Sequence, residues 1–457
     1  MEKPINIIPV LLALCLGSAT GWADSSKEPV PRALGQRFST YTAPADPPQG
    51  PDAQPAGVEP EGILTLETAL EFALLYNPEL TARAWEIRAA EARKEQVGLW
   101  SNPEIGLEVE GFDGSGDLAG VDAAELGIRL EHKLEISGAR SKREHVASLE
   151  RDLAFWDFET ARLDLITGVT QRFMQTVAAQ KRLSLADDIL GLDEAIFATV
   201  QERVDAGKDP PVESAKAHVT LSTARINRMG AERDLEIAQQ ILAESWGGLS
   251  PRFEKVAGEF ETVTEPPPFD ELVALLEQNL EFSRWTTETG RYRAMVDLES
   301  RNGIPAPSIF GGYKHFQAND EHAYLFGISI PLPLFDRNQG AVREAKYNLA
   351  QAGVRRRMVE TKIRAELTTA YQGLFWAYST VGILESEILP SAQDAFDTAL
   401  GGYRNGKFQY LIVLDAQRTL FEARGSYINA LEAYHNSRAG LERLIGVELG
   451  SVAGMVE

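Results

Sequence analysis

The sequence predicts a mainly α-helical chain built from two tandem copies of one elongated unit. Each copy carries a β-hairpin of membrane-crossing length. Three observations lead there. One order of parts occurs twice, over about residues 63–247 and again over 269–447: helix, Pro-bounded hairpin, very long helix, Gly-Lys turn, returning helix. Asn77-Pro78-Glu79-Leu80 answers Asn279-Leu280-Glu281-Phe282, and Ala206-Gly207-Lys208 answers Asn405-Gly406-Lys407. Apolar residues then recur at steps of three and four through the proline-free run 139–206, the period of a long packed helix. Finally, segments 103–135 and 306–334 alternate with period two, the mark of strands with one apolar face.

The elements follow in order. Lys3, the apolar run from Ile5 to Leu16 and the small residues Gly21 and Ala23 read as a secretion signal over residues 1–23. Cys15, the only cysteine, lies inside it, and Leu14 before it is a poor fit to a lipoprotein signal. The mature chain therefore uses neither disulfides nor thiolate ligands. Residues 24–62, rich in Pro, Ala, Gly and Ser, read as a flexible lead-in. Thr65 and Thr68 are candidate caps for a helix through Ala69, Leu70, Ala73 and Leu74, which Ser101-Asn102-Pro103 ends near residue 100.

In the first hairpin Ile105, Leu107 and Val109 alternate with Glu104, Glu108 and Glu110. Its second strand alternates Leu126, Ile128, Leu130 and Leu134 with Glu125, Arg129, Glu131 and Lys133. The second hairpin sets Tyr324, Phe326, Ile328, Ile330 and Leu332 against Ala323, Leu325, Gly327, Ser329 and Pro331, with Tyr313, Phe316 and Tyr324 placed as interfacial aromatics. A helix over the whole run 139–206 would be ~100 Å long. Val146, Leu149, Leu153 and Trp156, then Leu163, Ile166, Val169, Phe173 and Val177, give the first long helix its coiled-coil-like seam. The second long helix continues the pattern from Val342 to Ile388, with a bend due near Pro390. A Pro266-Pro267-Pro268 run falls in the linker, 248–268, and residues 448–457 form a tail.

The net charge of −22 argues against a nucleic-acid partner. Four strands cannot close a barrel alone, and open edges are not tolerated in hydrocarbon. If the hairpins are in a membrane, several copies must assemble. The charged faces (Glu104, Glu108, Glu110, Glu125, Arg129, Glu131, Lys133) would then line water and the apolar faces would meet lipid.

Three stretches carry a family resemblance: Asn102-Pro103-Glu104-Ile105 with Glu108-Val109-Glu110-Gly111-Phe112; Ile330-Pro331-Leu332-Pro333-Leu334-Phe335-Asp336-Arg337-Asn338-Gln339-Gly340; and Gly402-Tyr403-Arg404-Asn405-Gly406-Lys407 through Leu414-Asp415-Ala416-Gln417-Arg418. Over about residues 62–447 the chain resembles the TolC-like outer-membrane efflux factors, nearest their CzcC/CusC-like branch, which serves heavy-metal efflux pumps. The resemblance implies a homotrimer in the outer membrane of a Gram-negative bacterium. A twelve-stranded barrel, four strands per protomer, would stand on a large periplasmic α-barrel. It implies a periplasmic adaptor and an inner-membrane RND transporter as partners, outer-membrane lipid around the barrel, and passive conduction of heavy-metal cations. Drug efflux or type I secretion is the alternative within this class, and a soluble periplasmic helical scaffold the alternative outside it.

The resemblance also assigns sites. The adaptor-docking tips fall on Gly207, Lys208 and Asp209 and on Arg404, Gly406 and Lys407. Asp415 matches a family aspartate of the periplasmic gate. Ile412 stands where a second acid can occur, so Glu213 is the other candidate for gate charge. No catalytic constellation, cofactor motif or metal-ligand spacing is present. The six histidines (His132, His145, His218, His315, His322, His435) are scattered. The expectation is a transport protein and not an enzyme.

Overall fold

The structure is a computed structural model and describes residues 29–47, 59–116 and 119–452. The signal segment with Cys15 lies outside the described residues. The first copy runs β1 (Glu61–Thr65), α1 (Leu66–Tyr76), α2 (Pro78–Gly98), β2 (Glu104–Glu110), β3 (Glu125–Lys133), α3 (Ala139–Asp205) and α4 (Pro211–Glu244). After β4 (Arg252–Ala257) the second copy runs α5 (Phe269–Leu275), α6 (Leu280–Asn302), β5 (Ser308–Phe316), β6 (Glu321–Ser329), α7 (Gln339–Ile383), α8 (Leu389–Arg404), α9 (Tyr410–Ile445) and α10 (Leu449–Val452).

The duplication is visible in single hydrogen bonds. Asn77 ends α1 and caps α2. Its Oδ1 accepts from the Leu80 amide at 2.8 Å, and its Nδ2 donates to the Ser245 carbonyl at 2.8 Å. Asn279 does the same for α6, accepting from Glu281 N at 2.9 Å and donating to Leu444 O at 2.7 Å. Each asparagine thereby ties the start of its helix to the end of the helix that returns from the tip.

Helix α3 packs on α2, α4, α6 and α9, and α7 packs on α6 and α9. The seam residues Val146, Leu153, Trp156, Leu163, Val169 and Phe173 are buried. On the descending rod the burial runs Ile363, Leu367, Leu374, Ala377, Val381, Leu384, then skips Ile388 (42 % exposed) and resumes at Ala392, Phe396, Ala399 and Tyr403. A π-helical turn, Leu384–Ile388, accounts for the skip. It takes up one extra residue just before Pro390, whose missing donor would otherwise break the ladder.

The four barrel-type strands form one antiparallel sheet in the order β2-β3-β5-β6, so β2 and β6 are edges without a partner strand among the described residues. The register places Ile105, Leu107, Val109, Leu126, Ile128 and Leu130 on one face, all exposed. Tyr313, Tyr324, Phe326 and Ile328 continue that face.

Four features differ from the sequence reading. Phe316 pairs with Glu125 and Glu321 on the opposite, charged face, because period two assigns it with Lys314 and not with Tyr313. Strand β6 ends at Ser329, ahead of Pro331, which cannot donate to a ladder. Ile330 and Leu332 are exposed beyond it. Residues 61–65, which straddle the lead-in and the start of the first copy, and residues 252–257, read as linker, pair as the parallel strands β1 and β4. Residues 31–47 are not a free lead-in either. The buried pair Glu159–Arg162 (2.9 Å) draws on their backbone: Arg162 donates to Leu34 O at 2.8 Å and Arg32 O at 3.0 Å, while Glu159 accepts from Arg32 N at 3.2 Å. A buried ion pair needs such extra partners for its remaining donors and acceptors. No local pattern advertises a contact spanning more than a hundred residues.

Candidate functional site

The charged face of the sheet gathers every residue expected there. Glu104, Glu108 and Glu110 stand beside Glu131, Gly127 and Glu125, with Arg129 and Lys133 on the same face. The second hairpin adds Lys314 and Glu321, which the sequence reading did not single out although their alternation with Tyr313 and His322 was available. Arg129 lies 3.6 Å from both Glu108 and Glu131, and Lys314 bridges Glu110 (2.8 Å) and Glu125 (2.5 Å). Six carboxylates thus face three cations, which leaves the surface acidic.

At the other end of the rods the two helix reversals are built alike. Gly207 (φ +70°) and Gly406 (φ +72°) take the left-handed conformation that other residues resist. Lys208 N bonds Arg203 O and Gly207 N bonds Val204 O, at 2.8 and 2.9 Å. Lys407 N bonds Gly402 O and Gly406 N bonds Tyr403 O at the same two distances. This is the paired 6→1 and 5→2 closure of a glycine-terminated helix, made twice.

Lys208, Arg404 and Lys407 are exposed, with no carboxylate within ion-pair distance among the described residues. Asp209 is placed differently. It accepts from Arg203 Nε at 2.8 Å and Nη2 at 3.1 Å, and from the Tyr403 hydroxyl at 2.8 Å, so it joins the first tip to the second. The Arg203 guanidinium also lies over the Tyr403 ring, 4.8 Å from its centre. Hydrogen bonding from Arg203 holds the Asp209 carboxyl below its ordinary value. Burial, then the bond to Asp209, pushes the Tyr403 hydroxyl up.

Above the tips a groove of about 590 Å³ runs between α4 and α9 over α3, lined in part by Val219, Thr220, Leu411, Leu414 and Phe421. Asp415 sits on its rim, largely exposed, 3.4 Å from Arg418. Glu213 lies in the first turn of α4, 3.3 Å from Lys216, with its Oε2 buried and without a hydrogen-bond partner. No contact joins Glu213 to Asp415 within the described chain. The groove also exposes a pair that sequence reasoning missed. Asp193, 4 % exposed, accepts a 2.5 Å bond from Gln417 Nε2, and Gln417 Oε1 is buried without a partner. Burial pushes the Asp193 carboxyl up, and the Gln417 bond offsets this in part. Among the described residues no group of three or more His, Cys, Asp or Glu side chains stands ready to hold a metal ion.

Two sets of rods and a four-stranded sheet with one wet and one greasy face narrow the comparison with known proteins. The family profile described as "Outer membrane efflux protein" matches residues 69–248 and 290–447. The chain belongs to the outer membrane efflux protein family. This outer membrane efflux protein is 31 % identical over 388 residues to the cobalt-zinc-cadmium resistance protein CzcC of Cupriavidus metallidurans, covering 85 % of this chain and 91 % of CzcC. It is 23 % identical over 301 residues to the nickel-cobalt-cadmium resistance protein NccC of Alcaligenes xylosoxydans xylosoxydans, covering 66 % and 68 % of the two chains. Its fold matches the crystal structure of CusC with a TM-score of 0.71 at 18 % identity, over 90 % of this chain and 99 % of that one. The protein is therefore an outer-membrane channel of the α-barrel and β-barrel architecture, with a large helical periplasmic part. It transports and does not catalyse.

Proposed function

We propose that three copies of this chain close into one conduit that passively carries divalent heavy-metal cations out across the outer membrane. The observation that carries the reading is the sheet: one exposed apolar face, one acidic face and two unpaired edge strands. Edge β6 of one copy would pair with edge β2 of the next, a head-to-tail contact that a ring satisfies and a monomer does not. Exposed apolar residues support the same closure along the rods, Val219, Ile226 and Met229 on α4 and Trp376 and Ile383 on α7. Repeated around three-fold symmetry, the acidic face and the Asp415 side chains would favour a cation. A conduit holds its cargo weakly, since tight binding prevents exit.

The cargo reading rests on the cobalt, zinc, cadmium and nickel resistance in the names of CzcC and NccC. The exposed bases Lys208, Arg404 and Lys407 at the tips would meet a periplasmic adaptor, which links the conduit to a proton-driven RND transporter in the inner membrane. Asp209, already engaged by Arg203 and Tyr403, would hold the tips together and not face the adaptor. The test is deletion and complementation of the gene, scored for growth on zinc, cobalt, cadmium, nickel, copper and silver beside a drug panel. Metal hypersensitivity restored by the gene is the expected result. Unchanged metal tolerance with new drug sensitivity would replace the cargo with drugs.

A further inference from the structure

The hairpin β5–β6 sets His315 directly opposite His322. Both lie on the outward face, with Tyr313, Tyr324 and Phe326, at the end of the sheet farthest from the long helices. Directly opposed side chains on one face stand about 5 Å apart at Cβ. From there two imidazoles reach a common ion, with nitrogens about 2 Å from it. Aromatic neighbours already hold the His322 ring. His322 stacks on Tyr313 at 5.8 Å and meets Tyr324 edge-on at 6.2 Å. Coordination uses the ring edge, which stacking on Tyr313 leaves open. His315 Nε2 faces the Asp320 carboxylate at 3.8 Å, too long for a hydrogen bond. Asp320 projects from the hairpin turn at φ 51°.

We infer that His315 and His322 bind one first-row divalent cation, Cu²⁺, Ni²⁺ or Zn²⁺, at the outer rim of the barrel. Water completes the coordination, or Asp320 does after a side-chain rotation. Imidazole nitrogen suits these ions, whereas Mg²⁺ and Ca²⁺ prefer oxygen, so the site discriminates between the two groups. Two protein nitrogens make a weak, exchanging site. It sits outside the bore, where an ion does not obstruct passage. The two histidines are seven residues apart, a spacing that matches no helical or loop metal motif, and only the strand register makes them neighbours. The site depends on that register and not on the identity of the cargo.

The test uses the full-length protein, purified in detergent without a polyhistidine tag, stripped with chelator and titrated calorimetrically with Ni²⁺. One ion per protomer is expected. His315→Ala and His322→Ala should each weaken binding by more than about tenfold. His218→Ala, on α4, should leave it unchanged. His322→Gln guards against misfolding, since it keeps a polar side chain of similar size, and it should lose binding with the sheet signal intact. No saturable binding by the parent protein, or undiminished binding by His322→Gln, would overturn the site.

Discussion

The Tyr403 hydroxyl in the second tip donates a 2.8 Å hydrogen bond to Asp209 in the first. Because Arg203 clamps the same carboxylate and lies over the Tyr403 ring, the contact is part of a polar link between the two helix reversals. A hydrogen bond to a charged acceptor contributes about 1.5–3 kcal/mol. Tyr403→Phe keeps the ring and removes only that bond. It is expected to raise the closed-state conductance in planar bilayers without changing the helical signal. The Asp209 carboxyl is held below its ordinary value, so its contribution is present above the usual carboxylate range and lost as pH falls through the lowered value. Conductance is therefore expected to stay flat from neutral to mildly acidic pH; an increase already at pH 6 would show that another group holds the tips.

Asp193 works in the opposite direction. Its carboxyl is pushed up by burial, so holding it ionised costs stability above the raised value and the cost is relieved as pH falls through it. Asp193→Asn removes the charge, and its new amide can donate to the unpartnered Gln417 Oε1. The variant is expected to be more stable at neutral pH by about 1 kcal/mol, with a flatter acid-side dependence of Tm. A lower Tm at neutral pH would mean that the carboxylate has a partner in the assembled protein.

Lys314 bridges two of the six carboxylates on the acidic face and cancels one of their charges. Lys314→Gln frees Glu110 and Glu125. The reversal potential in a salt gradient is expected to move toward stronger cation preference. An unmoved potential would place this face outside the conduction path.

Asp415→Ala tests the gate from the groove side. The expectation is larger single-channel conductance or weaker block by divalent cations, because an exposed carboxylate repeated around an axis attracts them. Unchanged conductance together with unchanged block removes Asp415 from the gate.

The exposed bases at the reversals give a separate expectation. Charge reversal at Lys208, Arg404 or Lys407 should weaken adaptor crosslinking, with the helix closures intact because only backbone amides and the glycines make them. Full crosslinking in all three variants would move the docking surface elsewhere.

The parts of this fold that repeat or alternate were legible in advance. The seam of α3, the four strands and both glycine reversals follow from period and from a fixed offset, since each is set by neighbours three, four or two residues away. Asn77 and Asn279 could be matched as a pair, although their long-range bonds to Ser245 O and Leu444 O could not. What escaped has one character. The β1–β4 pairing, the Arg162 clasp on residues 32–34, Asp193 beside Gln417 and Tyr403 on Asp209 all join positions far apart in sequence through polar contacts. Such contacts leave no periodic trace. His315 and His322 are the intermediate case, close in sequence yet hidden until the register is known.

The π-helical turn at Leu384–Ile388 makes the descending rod unequal along its length. Each residue of an α-helix turns the chain by about 100°. Shortening the rod by one residue anywhere else would spin everything below the cut and carry Tyr403 to the wrong side. Within Leu384–Ile388 the same deletion would keep the bearing of the bottom of the molecule, but it would set Pro390 against a regular helical ladder. The rod carries one spare tooth, and losing it would leave the phase untouched while shifting the burden onto Pro390.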